Sequence, residues 1–69
     1  MNFEEALSHM KDGGVVSRSG WNGKGLTAFI TDLEIDEQHT SLFVLKSASG
    51  YNQWVPSASD LLAEDWILH

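Results

Sequence analysis

Phe3, Ala6, Leu7 and Met10 recur at i, i+3, i+4 and i+7, a spacing that gathers them on one face of a helix. Asn2 followed by Glu5 has the form of a capping box, and Glu4 and Glu5 stand in the first turn, where the helix dipole favours acids. Lys11 and the Gly13-Gly14 pair mark the exit, so the pattern predicts a helix over residues 3–12. Beyond the glycines the period shortens to two. Val15 to Arg18 reads as a short strand entering a loop from Ser19 to Gly25, and Leu26, Ala28 and Ile30 alternate with Thr27, Phe29 and Thr31 in a second strand. Ser41 to Lys46 is the most β-like run. Ser47 to Gly50 has turn composition, and Tyr51 to Val55 makes a fourth strand ended by Pro56. Between the second and third strands, Asp32 to Thr40 carries four acids and few apolar groups, which predicts an exposed connection. Ser57, three residues before Asp60, predicts the N-cap of a short helix through Ala63, and Asp65 to Leu68 a terminal strand. The expected fold is α+β: an N-terminal helix packed on a small twisted antiparallel sheet, with a short second helix near the C-terminus. Residues 1–69 form one domain.

Size changes the picture first. Ordering each residue costs roughly 1.5 kcal/mol, and a 69-residue core barely offsets that sum. Small domains commonly add disulfides, a metal or a partner subunit. There is no cysteine, and His9, His39 and His69 show no metal-ligand spacing, so self-association is the expected device, with three tryptophans suited to it. The formal net charge is −6, from ten acids against Lys11, Arg18, Lys24 and Lys46. That balance disfavours nucleic acid and anionic membrane as partners, because both need a basic surface. A small anionic ligand remains open, since one or two well-placed bases can outweigh the global field. The N-terminus has no signal-peptide form, and no apolar run approaches the ~20 residues of a bilayer span. The expected compartment is the cytoplasm.

Two stretches carry candidate chemistry. The first is Arg18-Ser-Gly-Trp21-Asn22-Gly-Lys24-Gly25: glycines free the backbone to approach a ligand, Arg18 and Lys24 flank it, and Trp21 offers a face for a purine. A base–aromatic stack contributes about 1–3 kcal/mol. The bland alternative is a glycine-rich connection with Trp21 as a core plug. The second stretch runs from Tyr51 to Ser57, followed by Asp60 and Asp65: Asn52, Ser57, Asp60 and Asp65 have side chains suited to ribose hydroxyls and base edges, and Trp54 offers a second face for stacking. Its bland alternative makes Ser57 and Asp60 a helix cap, Asp65 a turn acid, and Trp54 and Trp66 core or interface. No histidine stands near a glycine-framed serine, so neither stretch predicts an enzyme or a cofactor.

NFEEAL…MKDGGVVSRSGWNGKG at one end and WVPSASDLLAEDW at the other together resemble the small phage and prophage proteins of the Thoeris anti-defence family, second type. The likeness covers residues 2–25 and 54–66; Leu26-Thr27-Ala28 and the acidic Asp32–Thr40 segment depart from the family pattern. The resemblance implies a sponge. Such a protein binds the cyclic ADP-ribose-type signal of a bacterial TIR-domain protein, or a cyclic dinucleotide of a related system, and holds it intact. It implies a homotetramer built as a dimer of dimers, with pockets at subunit junctions. Carried onto this chain, the implied pocket residues are Trp21 and Asn22, then Trp54, Ser57, Asp60 and Asp65, with Arg18 and Lys24 either on the ligand or paired to an acid of a neighbouring subunit. A small acidic protein that blocks a host protein through its surface, or less readily a nucleotide-processing enzyme, is the alternative.

Overall fold

Helix α1 (Phe3–Lys11) is capped at its start by the predicted box: the Asn2 side chain accepts from the Glu5 N–H at 3.0 Å, and Glu5 accepts in return from the Asn2 N–H at 3.4 Å. The computed structural model describes residues 1–21 and 24–69, and all that follows concerns these. Ala6 and Met10 of α1 are fully buried, with Phe3 and Leu7 packed beside them. The helix leaves through Gly13, whose positive φ of 90° suits glycine. Gly14 follows, and any Cβ there would collide with the imidazole of His9.

The chain then builds β1 (Val16–Arg18), a 3-10 turn (Ser19–Trp21), β2 (Thr27–Ile35), β3 (Gln38–Ser47), β4 (Gly50–Gln53), α2 (Ala58–Leu62) and β5 (Trp66–Leu68). The strands form one antiparallel sheet in the order β4-β3-β2-β1-β5. The period-two pattern decides which side chains face α1. Val16, Ala28, Ile30, Phe43, Leu45, Trp66 and Leu68 turn inward to the core. Ser17, Thr27, Phe29, Val44, Lys46, Tyr51 and Ile67 alternate with them on the opposite face of the sheet.

The expected α+β architecture holds, with one correction. The acidic run Asp32–Thr40 is not a loose connection: it is the distal half of a hairpin whose register continues unbroken from Thr27↔Lys46 to Ile35↔Gln38. Only Asp36 and Glu37 turn, at φ 51° and 67°, the positive values a two-residue hairpin loop of type I′ requires. Charge misleads there because this half of the hairpin projects past the helix. Its side chains from Asp32 onward face solvent on both sides, and nothing demands an apolar alternation. The backbone ladder and local pairs such as Ser41 Oγ to Asp32 at 2.7 Å hold it instead. A smaller difference lies at β4, which ends at Gln53; the Trp54 N–H still donates to the Phe43 carbonyl at 2.9 Å before the chain turns away.

Helix α2 is a single short turn with the predicted cap, Ser57 accepting from the Asp60 N–H at 3.1 Å and Asp60 accepting from the Ser57 N–H at 3.0 Å. Above it, the three tryptophans pack edge to face, with ring centroids 5.5 Å (Trp21–Trp66), 5.9 Å (Trp54–Trp66) and 6.1 Å (Trp21–Trp54) apart. Phe3 and Phe43 close the cluster against Trp66 and Trp54. Edge-to-face pairs of this kind add about 0.5–1.5 kcal/mol each beyond their buried area. In a core with so few fully buried side chains, this aromatic cluster is its largest part.

Candidate functional site

The 3-10 turn that follows β1 is held from behind by the C-terminal segment. Arg18 donates from Nε to Asp65 Oδ1 and from Nη1 to Asp60 Oδ1, both at 2.8 Å. The second oxygen of Asp65 accepts from the Gly20 N–H at 2.7 Å and from the Ser19 hydroxyl at 3.3 Å, while the Ser19 N–H donates to the Asp65 carbonyl at 3.2 Å. A Cβ at Gly20 would stand 2.8 Å from Asp65 Oδ2, so a larger residue there must displace the carboxylate from this contact. Asp60 is tied in turn to the Ser57 cap, and its carbonyl accepts from the Trp66 indole N–H at 3.0 Å. The result is a clasp: one guanidinium, two carboxylates and a helix cap fix the path of Ser19–Trp21 relative to the tail.

The clasp sets the local electrostatics. Hydrogen bonding to Asp65 and then Asp60 raises the Arg18 pKa further, against a lesser opposing effect of burial. The Arg18 hydrogen bond is the largest cause holding Asp65 below the ordinary carboxylate range, aided by the Gly20 N–H. Burial pushes Asp60 upward, but the Ser57 N–H, Arg18 and the Ser57 hydroxyl together outweigh it, and its pKa is lowered. Both acids are therefore ionised partners of Arg18 at neutral pH. The acids that Arg18 meets belong to its own chain, whereas the resemblance implied either the ligand or an acid of a neighbouring subunit.

In front of the clasp lies a cleft of about 250 Å³ lined by Ser17, Arg18, Trp21, Lys24, Thr27 and His69, among others. The floor of the cleft joins strand residues to the glycine-rich loop, which returns to the sheet through Gly25 at φ 69°. Trp21 is half-buried, one edge in the tryptophan cluster and part of its surface on the cleft. Arg18 keeps Nη2 outside both ion pairs, and Lys24 is exposed. His69 Nε2 is 2.7 Å from the Ser17 hydroxyl, and the His69 carbonyl accepts from His9 Nε2 at 2.8 Å, so the tail forms one wall.

Of the residues singled out from the sequence, Arg18, Trp21 and Lys24 meet at this cleft. Asp60, Asp65 and Ser57 stand behind it in the clasp, and Trp54, 8% exposed, backs Trp21 from the core. Asn22 lies outside the described residues. Ser17, Thr27 and His69 were not anticipated. Alternation along β1 and β2 puts Ser17 and Thr27 on the helix-free face, but only the pairing of the two strands brings them together.

A family model, described as the Thoeris anti-defense 2-like domain, matches residues 1–69. The chain is also similar to the protein Thoeris anti-defense 2 of Bacillus phage SP01, with 36% identity over 81 residues that cover 96% of this chain and 91% of that protein.

Proposed function

The chain belongs to the Thoeris anti-defense 2-like family, an anti-defence family, and from that premise we propose that it acts as a sponge for a cyclic ADP-ribose-type immune signal or a related cyclic dinucleotide. It binds the signal in the cytoplasm of the host cell, leaves its bonds intact and keeps it from the defence effector. The observation that carries this reading is the cleft in which an aromatic surface, Trp21, meets two cations, Arg18 and Lys24, on a chain of net charge −6. A purine stacks on Trp21, and the phosphates lie against Lys24 and the Nη2 side of Arg18. Asp60, Asp65 and Ser57 keep Arg18 and the turn in place. Trp54 supports Trp21 from below.

Capture by a sponge is thermodynamic, so the protein needs a Kd below micromolar, tighter than about −8 kcal/mol, and copies in excess of the signal. The proposed working unit is a homotetramer, a dimer of dimers. The proposed absence of catalysis and of a resident cofactor distinguishes this reading from an enzyme. A thermal-shift screen against cyclic ADP-ribose isomers and cyclic dinucleotides tests it, followed by mass spectrometry of what the loaded protein releases on heating. The expected result is a stabilising ligand recovered chemically unchanged. A processed product that accumulates with turnover would mean an enzyme.

One observation favours a second reading. The distal β2–β3 hairpin projects with Asp32, Glu34, Asp36 and Glu37 around Leu33 (41% exposed) and Ile35 (63% exposed), a surface suited to a basic protein partner. Under that reading none of the nucleotides shifts the melting temperature.

A further inference from the structure

The cleft beside Trp21 is small for a signal nucleotide. Sites that enclose ligands of that size commonly measure about 300–1,000 Å³, against about 250 Å³ here. A second cleft, of about 510 Å³, opens on the helix-free face of the sheet and is lined by Thr27, Phe29, Lys46, Tyr51 and His69, with Val15. Thr27 and His69 belong to both.

The sheet register shows why the two clefts adjoin. Val16↔Ala28 in antiparallel pairing sets Ser17 opposite Thr27, Thr27 pairs with Lys46, and Lys46 pairs with Tyr51. Ser17, Thr27, Lys46 and Tyr51 therefore form one row across β1, β2, β3 and β4 on a single face, roughly 14 Å long at the usual strand spacing. Each member of the row carries a hydrogen-bond donor: two hydroxyls, an ammonium and a phenol. The adjacent row sets Phe29 beside Val44 and ends at Gln53. Phe29 and Tyr51 meet edge to face at 6.1 Å, and the Lys46 Nζ stands 5.8 Å from the centre of the Tyr51 ring. Among the described residues, no carboxylate forms an ion pair with Lys46. Three of the chain's four basic residues, Arg18, Lys24 and Lys46, thus line this pair of clefts.

We infer that the two clefts are one continuous groove, and that Lys46, Tyr51 and Phe29 form a second subsite that holds the far half of a dinucleotide-sized ligand, a phosphate on Lys46 and the ring beyond it against Tyr51 and Phe29. The inference rests on the sequestration reading and extends it. The Trp21 end takes the first base, and the row of hydroxyls carries the linking phosphates across the sheet.

The test is titration calorimetry with AMP as a single-base probe and with cyclic ADP-ribose and cyclic di-GMP as dinucleotide-sized probes. It compares the wild type, Lys46→Ala, Lys46→Arg, Tyr51→Ala and Trp21→Ala, with circular dichroism to check the fold. Lys46 and Tyr51 are exposed, Tyr51 by 66%, so their replacement leaves the core untouched. Lys46→Ala and Tyr51→Ala are each expected to weaken at least one dinucleotide-sized probe by 10-fold or more while AMP changes less than twofold, and Lys46→Arg is expected to restore most of the loss. If both alanine variants bind the larger probes like the wild type while Trp21→Ala does not, the second subsite is wrong and the sequestration reading stands. If the wild type binds none of the three probes, the sequestration of these nucleotides falls, and the subsite with it.

Discussion

At the scale of single residues, Trp21 has two duties that a substitution separates by magnitude. Its edge contacts with Trp54 and Trp66 belong to the core, and its cleft surface to the proposed ligand. Trp21→Ala is expected to lower the unfolding free energy by about 2 kcal/mol through those two contacts and some lost burial. Loss of a base stack worth about 1–3 kcal/mol weakens nucleotide binding by roughly 5- to 150-fold. Urea unfolding and calorimetry on the same variant read the two effects apart. Unchanged affinity in a destabilised protein would make Trp21 a core residue only. Arg18 poses a different question, because it holds two acids at once. Arg18→Met leaves the largely buried Asp60 without its cation and is expected to cost about 2 kcal/mol near neutral pH. The folded pKa values of Asp60 and Asp65 are depressed. Their contribution to stability is therefore complete above the ordinary carboxylate value near pH 4 and is lost as the pH falls through the lower folded values. The gap between wild type and Arg18→Met should accordingly narrow on acidification below about pH 4. A gap that stays constant from pH 7 to pH 3 in chemical denaturation would show that the clasp is energetically idle.

At the scale of elements, the two helices and the hairpin differ in how far their own residues specify them. Helix α1 is over-determined: an amphipathic stripe, a capping box and a glycine exit all agree. Helix α2 has only five residues and depends on its Ser57 cap and on the Trp66 bond to Asp60. The β2–β3 hairpin carries the one local conflict. Its turn places Asp36 and Glu37 at positive φ, and a left-handed conformation costs a non-glycine residue about 1–2 kcal/mol. Replacing the pair by Asn-Gly is expected to stabilise the protein by about 1 kcal/mol, which raises the Tm of so small a domain by roughly 4–8 °C. Calorimetry checks it, and a lower Tm would mean that the acids at the tip have a stabilising partner. The same hairpin explains why part of the fold was illegible beforehand. A strand announces itself by alternation only where one face meets a core. The inner half, Thr27 to Thr31, does so, and Asp32 to Thr40 does not.

At the scale of the whole molecule, only Ala6, Met10, Val16, Ala28, Trp54 and Trp66 among the described residues are buried apolar side chains, while Leu33, Ile35, Tyr51, Val55 and Leu62 are exposed. A core of that size is marginal alone, and the proposed homo-oligomer would cover part of the exposed apolar surface. The expected outcome is a mass in solution above the 7.7 kDa of one chain, with a Tm that rises as protein concentration increases. Light scattering and concentration-dependent melting check it; a monomer whose Tm ignores concentration would show that the aromatic cluster suffices.

What the sequence determined by itself is whatever neighbours along the chain can settle: both helix caps, the glycine exits, the alternation of the inner strands and the gathering of Arg18, Trp21 and Lys24 near one loop. Those features follow from hydrogen bonds and side-chain spacing within a few residues. Tertiary structure decided the rest. It gave Asp60 and Asp65 to Arg18, 42 and 47 positions away, made Trp54 and Trp66 the support for Trp21, and aligned Ser17, Thr27, Lys46 and Tyr51 in one row. Contacts over such separations depend on strand register and on which surfaces the core excludes from water, and no local pattern encodes either.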